Sequence, residues 1–241
     1  VEAVFSAGST GATLISAITI LGKQKGVIRP AIASVLPTIN GSVILLDSGA
    51  SLDVKPKVLY QFAVIGSKLA EVLLDIDSPR VGLLNNGEEE SKGRDLEKSA
   101  YKLLSSSNLN FIGNVEGRDF ANEKVDVFVT DGFTGNVVLK TLEGTARLQQ
   151  KLISDSLNRN LLKPLLPIVK NAFKPVKDKL NPDKTNASYL LGVDGLVTIG
   201  HGSSKQEAIK NGIKYTSSSI QKDFIGKFSE TLKELWITFL I

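Results

Sequence analysis

The residues of this chain able to do chemistry are gathered in a few short bends rich in glycine, hydroxyls and acids. The first, FSAGSTG over 5–11, sets Ser9, Thr10 and Gly11 at the start of a helical pattern. Backbone N–H groups and hydroxyls there can hold an anion, helped by the positive end of the helix. DGFTGN over 131–136 repeats the arrangement, with Asp131 closing a strand pattern, Gly135 bending the chain, Thr134 placed to cap a helix, and Asn136 and Lys140 following in its first turns. NNGEEESKG over 85–93 presents Asn85, Glu88 and Lys92 around three consecutive acids, whose repulsion demands a partner, with Lys92 and Arg94 nearest in sequence. Asp47 in DSGASLD and His201 in HGSS each follow a strand pattern. Each bend also has a plain structural reading, since Ser and Thr cap helices, and Asp and Asn close turns. Bends that follow parallel strands share one sheet edge, so Ser9, Asp47, Asn85, Asp131 and His201 are expected around one cleft.

Composition limits what such a cleft can catalyse. The chain has no cysteine and one histidine, which removes thiolate nucleophiles and leaves little for zinc, so no metal and no cofactor is expected. A net charge of +4 suits anionic ligands but is too mild to point to nucleic acid. No apolar run approaches the ~18 residues of a membrane span. The absence of cysteine fits a reducing cytoplasm.

The elements that must position these bends alternate along the chain. Short apolar runs at 43–46, 81–84, 109–112, 125–129 and 196–199 read as buried strands, and segments of helical period at 10–21, 56–74, 94–106, 134–157 and 205–224 lie between them. That alternation predicts a single α/β domain over 1–241, with a mostly parallel sheet and helices on both faces. Residues 156–183 break the rhythm. Leu162, Leu166, Val169 and Phe173 belong to an apolar series flanked by lysines and interrupted by prolines, which predicts a protruding basic amphipathic helical hairpin suited to an anionic membrane surface or to packing in a dimer.

Taken in order, the segments SAGSTGA, RPAIASVLPT, LLDSGAS, KPKVLYQFAVIGS, PRVGLLNNGEEESKG, NFIGNVEGRD, DVFVTDGFTGNVVLKTLEG and HGSS resemble the bacterial phosphate acyltransferase family of phospholipid synthesis. The resemblance implies a fold similar to the isocitrate dehydrogenase and phosphotransacetylase group, a homodimer, and a reaction of acyl-acyl carrier protein with inorganic phosphate to give acyl phosphate. It also implies that a leading strand with a glycine-rich D-x-M-G-G-D segment is missing ahead of Val1, and that Ser9 and Ser51 stand where the family usually has asparagine.

For that reaction, Ser9, Thr10, Gly11, Thr134 and Gly135 are expected to bind phosphate or the oxyanion. Lys140 and Asn136 would steady the developing charge, and His201 would protonate the departing thiol. Asp47, Asn85, Glu88, Lys92 and Asp131 would line the rest of the cleft. Contact with an anionic membrane would place the protein in the cytoplasm at the inner face of the membrane. Two alternatives stay open: a phosphotransacetylase-like enzyme using coenzyme A, and an inactive remnant acting only in dimerisation or membrane binding.

Overall fold

The computed structural model describes residues 1–157, 167, 171–172, 174–176, 187–202, 204–221, 224, 226 and 228. Leu162, Leu166, Val169 and Phe173 of the expected hairpin lie outside the described residues. In chain order the elements are β1 (Ala3–Ser6), α1 (Thr10–Ile20), β2 (Ala31–Pro37), β3 (Ser42–Leu46), α2 (Pro56–Leu74), β4 (Val81–Leu84), α3 (Asp95–Ser105), β5 (Phe111–Val115), a single 3-10 turn (Gly117–Phe120), β6 (Val127–Val129), α4 (Gly132–Leu157), β7 (Ser188–Leu191), β8 (Leu196–Ile199) and α5 (Gln206–Gln221). All eight strands form one sheet in the order β1-β8-β7-β2-β3-β6-β4-β5.

Alternate residues of the central strands feed two cores, one on each face, as the period of two in a strand requires. Ile44 and Leu46 of β3 join Leu83, Val127 and Val129 beneath Leu59, Phe62, Ile65 and Leu69 of α2. Val43 and Leu45 point the other way, into a cluster with Leu84, Val115, Phe120 and Phe128 that Val138 and Leu139 of α4 cover. Helix α2 begins where expected, with Pro56 in its first turn, where the missing N–H leaves no intrahelical bond unmade.

Two strands start later than their apolar runs suggest. The 109–112 run becomes Phe111–Val115 because Phe111 N–H donates to Leu109 C=O at 2.7 Å, a tight turn that keeps Leu109 out of the ladder. The 125–129 run becomes Val127–Val129 because the N–H groups of Asp126 and Val127 both donate to the single carbonyl of Arg80, at 2.9 and 3.1 Å. Three strands have no counterpart in the sequence reading: β1, β2 and β7. Ala31, Ile32, Ala33 and Ser34 of β2 are all buried, so this strand lacks the alternation of a half-buried one, and its small residues carry little apolar signal.

β2 and β7 also set the direction of everything else. β1 and β8 are parallel to each other, and β3, β6, β4 and β5 are parallel to one another. Between these groups β8 meets β7, β7 meets β2, and β2 meets β3, each time antiparallel. Three reversals in a row leave β1 and β8 running opposite to β3, β4, β5 and β6.

One ion pair locks the start of β4 to the start of β6. Arg80 donates to Asp126 Oδ1 at 2.8 Å from its guanidinium, and to Oδ2 at 3.0 Å from Nε and 2.8 Å from its backbone N–H. Burial alone would raise the Asp126 carboxyl, but the Arg80 guanidinium and N–H bonded to it bring it below the ordinary aspartate value. A carboxyl depressed in the folded state stabilises above its unfolded value, and that contribution is lost as pH falls through the folded one. Asp126→Asn is therefore expected to cost about 1–2 kcal/mol at neutral pH, the modest figure reflecting the partial exposure of Arg80. Urea titrations should show the gap from wild type closing below roughly pH 4.

Candidate functional site

The expected single cleft divides in two. Because the strands reverse across β7 and β2, the bends after β3, β4 and β6, which carry Asp47, Asn85, Glu88, Lys92, Asp131, Thr134 and Gly135, lie at one edge of the sheet. The bends after β1 and β8, which carry Ser9, Thr10, Gly11 and His201, lie at the other. The expectation that Ser9, Asp47, Asn85, Asp131 and His201 surround one cleft is thereby corrected.

At the first edge the acids are consumed by the chain itself. Asp47 is fully buried, its Oδ1 accepting from the N–H groups of Ile32, Gly49 and Ala50 at 3.0 Å each, and its Oδ2 from Ser51 N–H at 2.7 Å. Burial pushes this carboxyl up, against the pull of those amides. The turn it closes receives the start of α4 at very short range, since a Cβ on Gly135 would stand 1.9 Å from Asp47 C=O, and one on Gly132 would stand 2.7 Å from Asp47 Oδ2. These glycines permit close packing of two backbones and form no open cradle for phosphate. Nor does Thr134 cap the helix. Asp131 does so, accepting at Oδ1 from Thr134 N–H at 2.8 Å and at Oδ2 from the Thr134 hydroxyl at 3.0 Å. Arg94 then bridges Asp131 and Glu97, and these hydrogen bonds raise its guanidinium further above its ordinary value.

The acidic bend is paired only partly as expected. Glu88 meets Lys124 at 3.0 Å and Arg118 at 3.8 Å, while Lys92 reaches only Glu89, at 3.9 Å, and Arg94 serves Asp131 instead. Asn85 is held within its own bend, donating to Lys92 C=O at 3.2 Å and accepting from Asn86 N–H at 2.8 Å. Asn136 stands beside the Asp47 turn, 3.7 Å from where a Cβ on Gly49 would lie.

The second edge is more open. β1 and β8 emerge side by side, with Gly200 N–H donating to Ser6 C=O at 2.8 Å. Ser9 caps α1 by accepting from Ala12 N–H at 3.5 Å, and Ser9, Thr10 and Gly11 are all exposed. First-turn N–H groups of a helix have no intrahelical acceptor, so those of Thr10 and Gly11 are available to an anion. Nothing lies within 4 Å of a Cβ built on Gly11.

Helix α4 spans the distance between the edges. From Gly132 to Glu143 it rises about 16 Å, which brings its third turn to His201. His201 Nε2 lies 3.1 Å from Glu143 Oε1, and Lys140 Nζ lies 3.0 Å from Glu143 Oε2. The His201 approach is off-line, so the buried Oε1 accepts no aligned hydrogen bond. Catalytic hydrogen bonds commonly tighten only when substrate is bound. Glu143 is the candidate-site residue that sequence reasoning missed. Its signal was the spacing Asn136, Lys140, Glu143, which places all three along one stripe of a helix. Beside this group, between the end of β2 and α4, lies a largely apolar cavity of about 380 Å³ that has Glu143 and His201 in its wall.

A mixed α/β sheet covered on both faces places the protein in the phosphotransacetylase fold class. EutD phosphotransacetylase from Staphylococcus aureus superposes with a TM-score of 0.57 at 14 % identity, covering 95 % of this chain and 63 % of that one. The sequence comparison is narrower: the fatty acid synthesis protein family model matches residues 1–227, and the chain belongs to that family. Curated relatives include the phosphate acyltransferase of Thermoanaerobacterium thermosaccharolyticum, 44 % identical over 97 % of this chain and 70 % of the relative. That of Geotalea uraniireducens is 43 % identical over 96 % and 67 %.

Proposed function

We propose that this chain catalyses formation of acyl phosphate from acyl-acyl carrier protein and inorganic phosphate, with its chemistry at the β1/β8 edge. The observation that carries this placement is the Lys140–Glu143–His201 chain of contacts on the side of the sheet where α1 begins. Hydrogen phosphate binds at the amides and hydroxyls of Ser9, Thr10 and Gly11. One of its oxygens attacks the thioester carbonyl carbon, the new C–O bond forms, and the carbonyl oxygen becomes an oxyanion facing the same donors. The C–S bond then breaks, and the proton that began on hydrogen phosphate reaches sulfur through His201, which Glu143 orients. Lys140 pairs with Glu143 and supplies positive charge beside the two anions. Family membership and the phosphate acyltransferase names of the relatives support the choice of substrates.

The test is release of free carrier protein from acyl-acyl carrier protein with phosphate present and omitted, run beside acyl-coenzyme A as donor. Release that depends on phosphate and on the carrier protein is expected. Release from coenzyme A alone would favour the phosphotransacetylase-like alternative, and no release from either donor would leave only the remnant.

A homodimer and contact with an anionic membrane belong to the same proposal. Support comes from the far half of α4, where Leu148 and Leu152 are each 57 % exposed and Ile153 is exposed beside them, apolar side chains a second copy can cover. Among the described residues no helix is long and apolar enough to cross a membrane. Changing Leu148 and Leu152 together to Asp is expected to shift the mass measured by light scattering from dimer to monomer. An unchanged mass would remove α4 from the interface.

A further inference from the structure

We propose that the cavity between β2 and α4 is the binding pocket for the acyl chain and selects its length. This rests on the acyl-transfer reading above. Leu36 at the end of β2 faces Leu139, Leu142 and Ala146 of α4 across about 380 Å³. That volume lies within the range of roughly 300–1,000 Å³ typical of small-molecule sites. It holds on the order of a dozen methylenes, if each needs about the roughly 30 Å³ of a liquid water molecule. The one acidic group in the wall is Glu143, already bound to Lys140 and close to His201, and of the remaining polar side chains Ser34 and Ser188 bond to each other, so the wall is largely apolar.

Position identifies the occupant. The cavity shares His201 and Glu143 with the proposed reaction centre, which suits an occupant with a reactive group at one end and an apolar body at the other. A fatty acyl thioester has that shape, with its carbonyl beside His201 and its tail along Leu139, Leu142 and Ala146. A hydrated ligand such as a nucleotide would leave most of its polar atoms unpaired there. Each methylene buried is worth roughly a fourfold gain in binding, so a pocket of this length separates long chains from short ones steeply.

Ala146→Phe fills the cavity from α4 while leaving Lys140, Glu143 and His201 themselves in place. Binding of sixteen-carbon and four-carbon acyl-acyl carrier protein to the full chain should be measured by calorimetry, together with phosphate-dependent turnover and a thermal melt. The expected result is that Ala146→Phe weakens binding of the sixteen-carbon donor at least tenfold and leaves the four-carbon donor within about twofold. Leu142→Ala, which enlarges the same cavity, should shift preference towards longer chains. If the wild-type protein binds the long chain selectively but shows no turnover, the pocket stands and the reaction assignment falls. If neither variant changes chain-length preference, or both weaken the two donors equally, the pocket is refuted.

Discussion

His201→Ala is expected to lower kcat/KM for phosphate-dependent acyl transfer by a factor of roughly 10²–10⁴, the usual contribution of a positioned acid–base group. The fold should be unaffected, because the His201 side chain is 36 % exposed and packs into no core cluster. Glu143→Gln keeps the shape of the side chain but removes the charge that holds Lys140 and turns the imidazole, so a smaller loss, on the order of tenfold to a hundredfold, is expected. The decisive measurement is the double variant. If Glu143 acts only through His201, then with His201 already absent Glu143→Gln should cost almost nothing further. Fully multiplicative losses would mean that Glu143 serves some separate purpose, and wild-type rates in His201→Ala would put the chemistry elsewhere.

Gly135→Ala is expected to be the most damaging glycine-to-alanine change among the described residues. The added methyl would fall 1.9 Å from the carbonyl oxygen of Asp47, and the obstacle is backbone, which cannot rotate aside as a side chain can. Either α4 withdraws from the Asp47 turn, or the turn opens and uncovers a carboxylate now satisfied by buried amides. Both routes cost more than about 3 kcal/mol. Gly144→Ala in the same helix is the control, because no atom lies within 4 Å of its added Cβ and helix propensity favours alanine by roughly 0.8–1 kcal/mol. Chemical denaturation of the two variants should move the midpoint in opposite directions. A stable Gly135→Ala protein would show that α4 does not lie against the turn as described.

The two edges of the sheet explain why the site was only half legible. Helix starts and strand ends follow from local rules, so α2 over Pro56–Leu74, β4 over Val81–Leu84 and β8 over Leu196–Ile199 appear where the apolar period and a single proline put them. His201 and Lys140 could be singled out because each stands near the junction of a strand and a helix. Glu143 and the pairing of Glu88 with Lys124 could not, since both depend on which elements come to lie beside one another. Likewise Asp47 and Asp131 look chemical in sequence, but they spend their acceptors on the chain's own amides, on Thr134 and on Arg94. A carboxylate at a helix start serves capping and catalysis with the same residue types, and only its partners tell the two apart.

Composition, hydrophobic period and the order of motifs determined that this is an α/β protein, which bends can carry charge and hydroxyls, and which family it belongs to. The tertiary structure alone decided which of those bends meet. Strand polarity is not encoded in a strand's own residues, for a buried strand reads the same in either direction, and it is settled by the partners with which its backbone completes its hydrogen bonds. Here β2 and β7 bond antiparallel to their neighbours, turn one half of the sheet against the other, and leave a single long helix to bring Lys140 and Glu143 to His201.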